Sequence, residues 1–146
     1  MFAEVGEVFI GDARGSRLVN AAGERPLSVR ACPDLDQAMI ATTEPLLFKG
    51  AEAEAWNRLR ASVRLARLGC DAYAYAMVAM GSLDLVVETG LKAWDIEAAV
   101  PVLAGAGGFV TDWRGADIGV DGGQMLIGGD RALVDQAVAL LNPAAR

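Results

Sequence analysis

The stretch that most constrains the fold covers residues 82–113, where strand, turn, helix and glycine signals follow one another. Residues 83–87 are apolar except at Asp84, and a run of this length predicts a buried strand. A helix is predicted from residue 94, because apolar residues recur at helical spacing at Ile96, Ala99, Val100 and Leu103. Glycines at 107–108 end this helix, and residues 109–113 form the next strand. This alternation predicts an α/β fold.

Two carboxylates flank the predicted turn between that strand and that helix. Glu88 ends the strand and Asp95 begins the helix. In α/β folds ligands bind at the carboxyl ends of strands, so both are candidates for a site. An aspartate before an apolar helix is equally typical of an N-cap, and a glutamate at a strand end is often only solvated. The residues themselves leave both interpretations open.

Four motifs in this part of the chain together resemble a known family. They are Trp-Asp at 94–95, Ala-Gly-Gly at 106–108, Val-Glu-Thr-Gly-Leu-Lys at 87–92, and Gly-Cys-Asp-Ala-Tyr-Ala-Tyr at 69–75. The first two are similar to the C-terminal signature of the inositol monophosphatase family, which comprises metal-dependent sugar-phosphate phosphatases. The last two are most similar to the histidinol-phosphatase branch. The resemblance extends over nearly the whole chain.

The resemblance implies that part of the family's sequence is not in this chain. The family has an N-terminal half with a Glu-Glu motif and an Asp-Pro-Ile-Asp-Gly-Thr motif, which supply most metal ligands, and neither occurs here. We therefore expect the C-terminal half of an inositol monophosphatase-type fold, a layered helix/sheet sandwich with an incomplete antiparallel meander. Residues 1–30 would form this meander, and residues 31–146 the C-terminal α/β subdomain. The expected partner is the missing half or a second copy in a homo-oligomer.

The resemblance also implies roles for individual residues. Asp95 would be a ligand of Mg²⁺, an ion that prefers hard oxygen ligands. Glu88 and Asp71 would bind the substrate, and two carboxylates would suit cationic histidinol phosphate better than an inositol phosphate. Lys92 would lie close to the phosphate or to Asp95. Cys70 would lie at the substrate, where the histidinol-phosphatase branch usually has glycine. A helix cap explains Asp71 as well, and an exposed loop position explains Lys92.

Composition excludes several other classes of function. The net charge of −6 argues against a nucleic-acid partner, and no apolar run is long enough to span a membrane. The chain has no histidine, which excludes a Ser-His-Asp triad and the usual zinc sites. Two cysteines, Cys32 and Cys70, do not make a disulfide framework, so a cytoplasmic location is expected. The hydrophobic content of 53% is high for a lone domain and favours burial against a partner.

Periodicity and turn signals assign the remaining elements. The expected strands lie at residues 7–10, 16–19, 27–30, 37–43 and 124–127, with a loop at 20–26. The expected helices lie at residues 51–68, after Asp71 and after Asp130. Pro101 should kink the helix that begins at residue 94. Trp94 is expected to pack in the core and to set the angle of Asp95.

These observations predict Mg²⁺-dependent hydrolysis of a phosphate monoester of a small molecule, most directly histidinol phosphate. In such an enzyme metal ions activate a water for attack on phosphorus. Asp95 alone does not complete a two-metal site, so we expect this chain by itself to bind Mg²⁺ weakly and to have little or no activity. Two alternatives remain. One is another substrate of the same family, an inositol, sugar or nucleotide phosphate. The other is a non-catalytic, partner-binding module that retains the fold.

Overall fold

The computed structural model describes residues 6–12, 14–119 and 121–146. The first five residues of the predicted meander, residue 13 and residue 120 lie outside the described part. The strands are β1 (Val8–Asp12), β2 (Gly15–Asn20), β3 (Gly23–Pro26), β4 (Met39–Thr42), β5 (Leu65–Leu68), β6 (Leu85–Leu91), β7 (Phe109–Thr111) and β8 (Gly123–Gly128). The helices are α1 (Ala51–Ala61), α2 (Tyr73–Ala79), α3 (Ala93–Ile96), α4 (Ala99–Gly105) and α5 (Arg131–Leu141). Short 3-10 helices cover Leu35–Gln37, Pro45–Leu47 and Asn142–Ala144.

The described strands form two sheets. An antiparallel meander, β1-β2-β3, makes a three-stranded sheet, and the other strands make a five-stranded sheet in the order β5-β4-β6-β8-β7. Strand β4 pairs in parallel with β5 and β6, whereas β8 pairs antiparallel with β6 and β7. The α/β class and the antiparallel meander that the sequence predicts are therefore confirmed.

Helices cover both faces of the five-stranded sheet, so residues 85–87 of the central strand β6 are apolar and buried at every position. Leu85 and Val87 belong to one buried cluster, with residues of α1 and α5. Val86, between them, belongs to the other cluster, with residues of α2 and α4. Because successive side chains of a strand point to opposite faces, this alternation places Glu88 on the α2 side and Thr89 on the α1 side.

Helix α4 joins the two sheets through a close contact with the first hairpin. The hydroxyl of Ser16 in β2 donates a hydrogen bond to the carbonyl of Val102 at 2.7 Å. A side chain at Gly105 would collide with Ser16, and one at Gly11 would collide with the backbone of Pro101. The two glycines therefore permit the backbone approach that brings α4 onto the hairpin.

The predicted loop at 20–26 and strand at 27–30 are wrong, because the chain turns back earlier. Asn20 Oδ1 accepts a hydrogen bond from Ala22 N at 2.9 Å, which closes a tight turn. Strand β3 then pairs with β2 from Gly23 to Pro26. In the segment that follows, Val29 N donates to the carbonyl of Ala106 at 3.0 Å, so its backbone bonds to the end of α4 instead of a strand.

The predicted helix at 51–68 is also wrong in its second half. Helix α1 ends at Ala61, and Leu65–Leu68 form the edge strand β5. Pairing with β4 supplies the backbone partners that a longer helix would have supplied: Leu65 N donates to Ala38 O at 3.3 Å and Gly69 N to Thr42 O at 3.1 Å. Two arginines of the predicted helix therefore lie in different elements, Arg60 in α1 and Arg67 in β5.

The single helix expected after residue 94 is two helices. A turn at residues 97–98 separates α3 from α4, and Pro101 lies in the first turn of α4. Proline has no N–H, so the carbonyl of residue 97 cannot accept a helical hydrogen bond from it, and the helix breaks there instead of kinking around the proline. Gly107, with φ of +85°, ends α4 as expected.

Candidate functional site

Glu88 is buried on the α2 side of the sheet, at the carboxyl ends of two neighbouring parallel strands. Its exposed fraction is 2%. Its carboxylate accepts hydrogen bonds from Thr43 N and Thr43 Oγ1, both at 2.8 Å, and from Thr42 Oγ1 at 3.3 Å. Burial raises the pKa of Glu88 above its ordinary value, the threonine bonds oppose this, and the negative charge of Asp71 adds to the rise. The interpretation of Glu88 as a solvated strand end is therefore wrong.

Asp95 lies in the turn that connects β6 to α4. Strand β6 becomes irregular after Glu88, and Gly90 takes a φ of +70°, which leads the chain into α3. Lys92 is the N-cap of α3, and its N–H donates to Asp95 Oδ2 at 2.8 Å. Asp95 is thus not the N-cap residue, although it caps the helix from within the first turn. No hydrogen bond from a described residue uses its Oδ1, which leaves that oxygen available to a cation.

Asp71 and Cys70 form a left-handed connection between β5 and α2. Their φ values are +47° and +72°. Asp71 Oδ1 accepts a hydrogen bond from Ala72 N at 2.9 Å, but Ala72 is the N-cap residue of α2. The interpretation of Asp71 as the cap of this helix is therefore wrong, because its side chain bonds to the N-cap residue and to no N–H inside the helix. Both residues are exposed.

A cavity of about 310 Å³ brings Asp71 and Asp95 together. Glu88 is not on its wall, but its negative charge helps to raise the pKa of Tyr75, which is on the wall. Lys92 and Cys70 do not border the cavity. The described residues that line it are Phe9, Asp71, Ala72, Tyr75, Ala76, Trp94, Asp95, Ala98, Ala99, Val102 and Leu103.

Trp94 lies on this wall and is 76% exposed. The expectation that it packs in the core is wrong. The short helix α3 has room to bury one side chain, and Ile96 is the residue that it buries. The Trp94 ring therefore offers its apolar surface to the cavity, next to Asp95.

Tyr75 ends the motif at 69–75, but the sequence analysis assigned it no role at this site. It lies one helical turn after Asp71, is 4% exposed and lines the cavity. Burial, followed by the negative charges of Glu88, Asp71 and Asp95, raises the pKa of its phenol well above the ordinary value. The spacing of four residues between Asp71 and Tyr75 is the signal that could have paired them on one helix face.

A larger, more open groove of about 790 Å³ lies beside β2 and β3. It is lined in part by Arg14, Arg17 and Arg25. Arg14 and Arg17 both pair with Asp12, at 3.1 Å each, and no predicted site residue borders the groove. The smaller cavity is therefore the candidate site.

The described residues supply only part of a metal site. Within that part of the chain, no group of three or more Cys, Asp or Glu side chains is arranged to hold a metal ion. Asp95, with one carboxylate oxygen available, fits as a single ligand of a hard cation. No helix in the described ranges is long and apolar enough to cross a membrane.

Comparison with known proteins identifies the family to which this architecture belongs. The model of the inositol monophosphatase family matches residues 5–143. The chain belongs to the inositol monophosphatase family. The resemblance inferred from the motifs is thereby confirmed at the level of the family, whose members act on phosphorylated small molecules with the help of metal ions.

Relatives within the family carry several substrate names. The chain is 51% identical over 89 residues to the bifunctional phosphatase IMPL2 of Arabidopsis thaliana, covering 61% of this chain and 26% of that protein. It is 34% identical to an inositol-1-monophosphatase of Mesorhizobium japonicum, covering 85% of this chain and 47% of the relative. It is 25% identical to a histidinol-phosphatase of Chlorobaculum parvum, covering 99% of this chain and 55% of the relative.

Solved structures agree with the fold. An inositol monophosphatase from Zymomonas mobilis superposes with a TM-score of 0.87 at 33% identity, covering 93% of this chain and 53% of that one. An inositol monophosphatase from Anabaena superposes with a TM-score of 0.80 at 25% identity, covering 94% and 54%. The chain thus spans about half the length of these proteins, and between a quarter and about half of the curated relatives it matches.

Proposed function

We propose that this chain provides the substrate-binding side of a Mg²⁺-dependent phosphatase that hydrolyses the phosphate monoester of a cationic small molecule, with histidinol phosphate as the first candidate. The observation that carries the proposal is one cavity with an aromatic wall that Asp71 and Asp95 line, with the buried carboxylate of Glu88 near enough to raise the pKa of the wall residue Tyr75. Glu88 and Asp71 would bind the organic part of the substrate, and Asp95 would hold the metal.

The charge of the cavity supports a cationic substrate. Its described lining includes two aspartates and no lysine or arginine, and buried Glu88 adds negative potential from behind. An ammonium or imidazolium group would relieve the repulsion among these carboxylates, whereas a neutral polyol would not. The exposed ring of Trp94 could receive such a cation on its face.

The relatives support two substrate classes. The Chlorobaculum parvum histidinol-phosphatase, which matches 99% of this chain, supports histidinol phosphate. The Mesorhizobium japonicum and Zymomonas mobilis proteins, which are more similar in sequence, support an inositol phosphate. The acidic lining leads us to prefer the cationic substrate, and the inositol phosphate is the second candidate.

Asp95 is the residue through which we propose that the chain contacts the metal. When bound, Mg²⁺ would supply the activation of water and the neutralisation of phosphoryl charge that this hydrolysis needs. The chain's own contribution is to hold the Asp95 carboxylate through Oδ2, which accepts from Lys92 N, so that Oδ1 has no bond from a described residue. The roles of Lys92 and Cys70 at the substrate remain predictions, because neither lines the cavity.

We further propose that the active site is completed by polypeptide other than the described residues. All four residues of strand β3 are exposed, and its outer edge pairs with no described strand, so the meander of residues 1–30 can extend its sheet there. The missing N-terminal half of the family fold is the proposed partner, and a second copy is the alternative. Cys32 and Cys70 are free thiols, which is compatible with the predicted cytoplasmic location.

Release of inorganic phosphate tests the proposed function. The chain is assayed with Mg²⁺, alone and after addition of the N-terminal half of a family phosphatase as a separate polypeptide, on histidinol phosphate and on inositol 1-phosphate. We expect release only from the mixture, with histidinol phosphate hydrolysed faster. Asp95→Asn should abolish it, whereas Asp36→Asn, at an exposed carboxylate far from the cavity, should not.

The other outcomes decide between the alternatives. Faster hydrolysis of inositol 1-phosphate would favour the second substrate. No hydrolysis of either ester by the mixture, together with stable self-association of the chain, would favour the non-catalytic module.

A further inference from the structure

The hydroxyl of Tyr75 is a buried polar group that the fold does not use. No hydrogen bond formed by the described residues involves it. The fully enclosed, unpartnered side-chain atoms of that part of the chain are Trp56 Nε1 and Thr111 Oγ1, so the Tyr75 oxygen is still reachable from the cavity that the residue lines. An oxygen that solvent reaches through a cavity can bond to water in the free protein, and a polar group of a ligand can take the place of that water.

We propose that Tyr75 determines substrate specificity, with its hydroxyl oxygen accepting a hydrogen bond from an N–H group of a cationic substrate inside the Asp71–Asp95 cavity. The inference rests on the proposed function, because it assumes that the cavity takes the organic part of a phosphate monoester. Tyr75 would contact the organic part of the substrate directly and would discriminate a cationic substrate from a neutral polyol.

The surroundings of Tyr75 favour this arrangement over a purely structural one. A phenol can accept one hydrogen bond and donate another. The charged groups that raise its pKa, Glu88, Asp71 and Asp95, are all hydrogen-bond acceptors and carry no N–H to offer it. The lone pairs of the phenol oxygen therefore remain for a donor that enters from the cavity. An ammonium or imidazolium N–H satisfies the phenol and the carboxylates at the same time.

The neighbouring polar groups are already occupied. The backbone and hydroxyl of Thr43 both donate to Glu88 at 2.8 Å. Tyr73, in the same helix, donates its hydroxyl to Glu7 Oε2 at 2.6 Å and does not line the cavity. The two tyrosines of the chain therefore form a matched pair, one committed to the fold and one open to a ligand.

Binding of the substrate's organic part to the full chain tests the proposal. The probes are histidinol, which carries an amine and an imidazole, and myo-inositol, which is neutral, and binding is measured by calorimetry or NMR titration. The variants are Tyr75→Phe, which removes only the hydroxyl, and Tyr73→Phe as the control. Thermal unfolding confirms that both variants fold. We expect Tyr75→Phe to weaken histidinol binding by roughly ten- to hundredfold, the size of a hydrogen bond to a charged group, and Tyr73→Phe to change it less than about twofold.

A second measurement uses the unmutated chain. With ¹³C-labelled tyrosine, histidinol should shift the ring signals of Tyr75 and leave those of Tyr73 in place. If the parent chain binds histidinol but Tyr75→Phe binds it equally well and the Tyr75 ring does not shift, the role of Tyr75 is refuted and the proposed function stands. If the parent chain binds neither probe, or binds myo-inositol more tightly, the proposed cationic substrate fails and the inference fails with it.

Discussion

The carboxylate of Glu52 in α1 accepts a hydrogen bond from the hydroxyl of Thr89 at 2.8 Å, directly beside Glu88 in β6. The two neighbours in the strand are thus held from opposite faces of the sheet, Glu88 by Thr42 and Thr43 and Thr89 by Glu52. The same Glu52 oxygen accepts hydrogen bonds from Gln124 Nε2 at 2.7 Å and from Arg146 Nη2 at 2.5 Å. Glu52 is buried, so this network holds in place the part of β6 that contains Glu88.

Replacement of Glu52 should be costly. Glu52→Ala leaves the buried donors of Thr89 and Gln124 without their acceptor, and we expect the free energy of unfolding to fall by about 2–4 kcal/mol. Urea denaturation measures the loss. Glu54→Ala, at an exposed position of the same helix, should change stability by less than about 0.5 kcal/mol. Equal effects of the two substitutions would show that the network contributes nothing.

The network should also make stability depend on pH. Burial acts to raise the pKa of Glu52, but the hydrogen bonds from Thr89, Gln124 and Arg146 outweigh it and lower the pKa below the ordinary value. A depressed folded-state pKa stabilises the fold above the unfolded-state pKa, and this contribution is lost as the pH falls through the folded-state pKa. The stability difference between the parent and Glu52→Ala should therefore shrink in acid.

Glu88→Gln should raise the free energy of unfolding at neutral pH, whereas Glu52→Ala lowers it. Because the folded-state pKa of Glu88 is raised, mainly by burial, its ionised form is unfavourable in the folded protein at neutral pH. The neutral amide should raise the free energy of unfolding at pH 7 by about 0.5–2 kcal/mol, a gain typical of relieved functional sites. The gain should disappear as the pH falls through the folded-state pKa of Glu88, because the parent is then neutral too.

Equilibrium unfolding of parent and variant across pH 4–8 tests this. Loss of histidinol binding by Glu88→Gln should accompany its higher stability. A variant that is less stable than the parent at pH 7 would indicate that Glu88 is a structural residue.

The sequence predicts the central part of this fold because its signals there are local. Residues 83–87, the glycines at 107–108 and the cap at Asp130 each specify an element without reference to the rest of the chain, and the structure has them; Asp130 Oδ1 accepts from Ala132 N at 2.9 Å. Strand β5 could not be found in this way. Leu65–Leu68 continue a helical pattern, and only pairing with β4, more than twenty residues earlier, makes them a strand.

In the candidate site too, some residues could be predicted from the sequence and others could not. Motif resemblance indicates Glu88, Asp71 and Asp95, and the cavity and its surroundings bring these three residues together. The partners that fix Glu88 and the contribution of Tyr75 depend on which face of β6 and α2 meets which neighbour. That information lies in the register of the sheet, so it is available only from the three-dimensional arrangement.

A third buried carboxylate, Asp84, lies just before the opposite end of β6. Its side chain accepts hydrogen bonds from Arg30 Nε at 2.8 Å, Arg30 Nη2 at 2.7 Å and Met39 N at 2.7 Å. Arg30→Ala leaves a buried, uncompensated charge, so we expect a loss of about 3–5 kcal/mol in the free energy of unfolding. Arg60→Ala, at an exposed arginine in α1, is the control and should be nearly neutral. A loss below about 1 kcal/mol for Arg30→Ala would show that this pair is not a significant stabilising contact.

Cys70 is held in a backbone conformation that glycine adopts more easily. Its φ is +72°, a conformation that costs a residue with a Cβ about 1–2 kcal/mol. Glycine avoids this cost, but its greater conformational entropy in the unfolded chain cancels part of the stabilisation. Cys70→Gly should therefore raise the free energy of unfolding by about 0.5–1 kcal/mol. Cys70→Ala, which keeps the Cβ, should not. A stabilisation by alanine as large as that by glycine would mean that the thiol, and not the backbone, is the source of the effect.

Of the three tryptophans of the chain, Trp94 differs from the other two in its exposure. Trp56 and Trp113 are buried, so alanine at either should lower the free energy of unfolding by about 3–5 kcal/mol. Trp94 is exposed on the cavity wall, and Trp94→Ala should leave stability within about 0.5 kcal/mol while weakening the binding of histidinol more than that of myo-inositol, since only the cation gains from the ring face. Paired urea denaturation and binding titrations measure both effects. If Trp94→Ala unfolds as easily as Trp56→Ala, the ring is a packing residue; if both probes weaken equally, it contributes apolar area and not cation recognition.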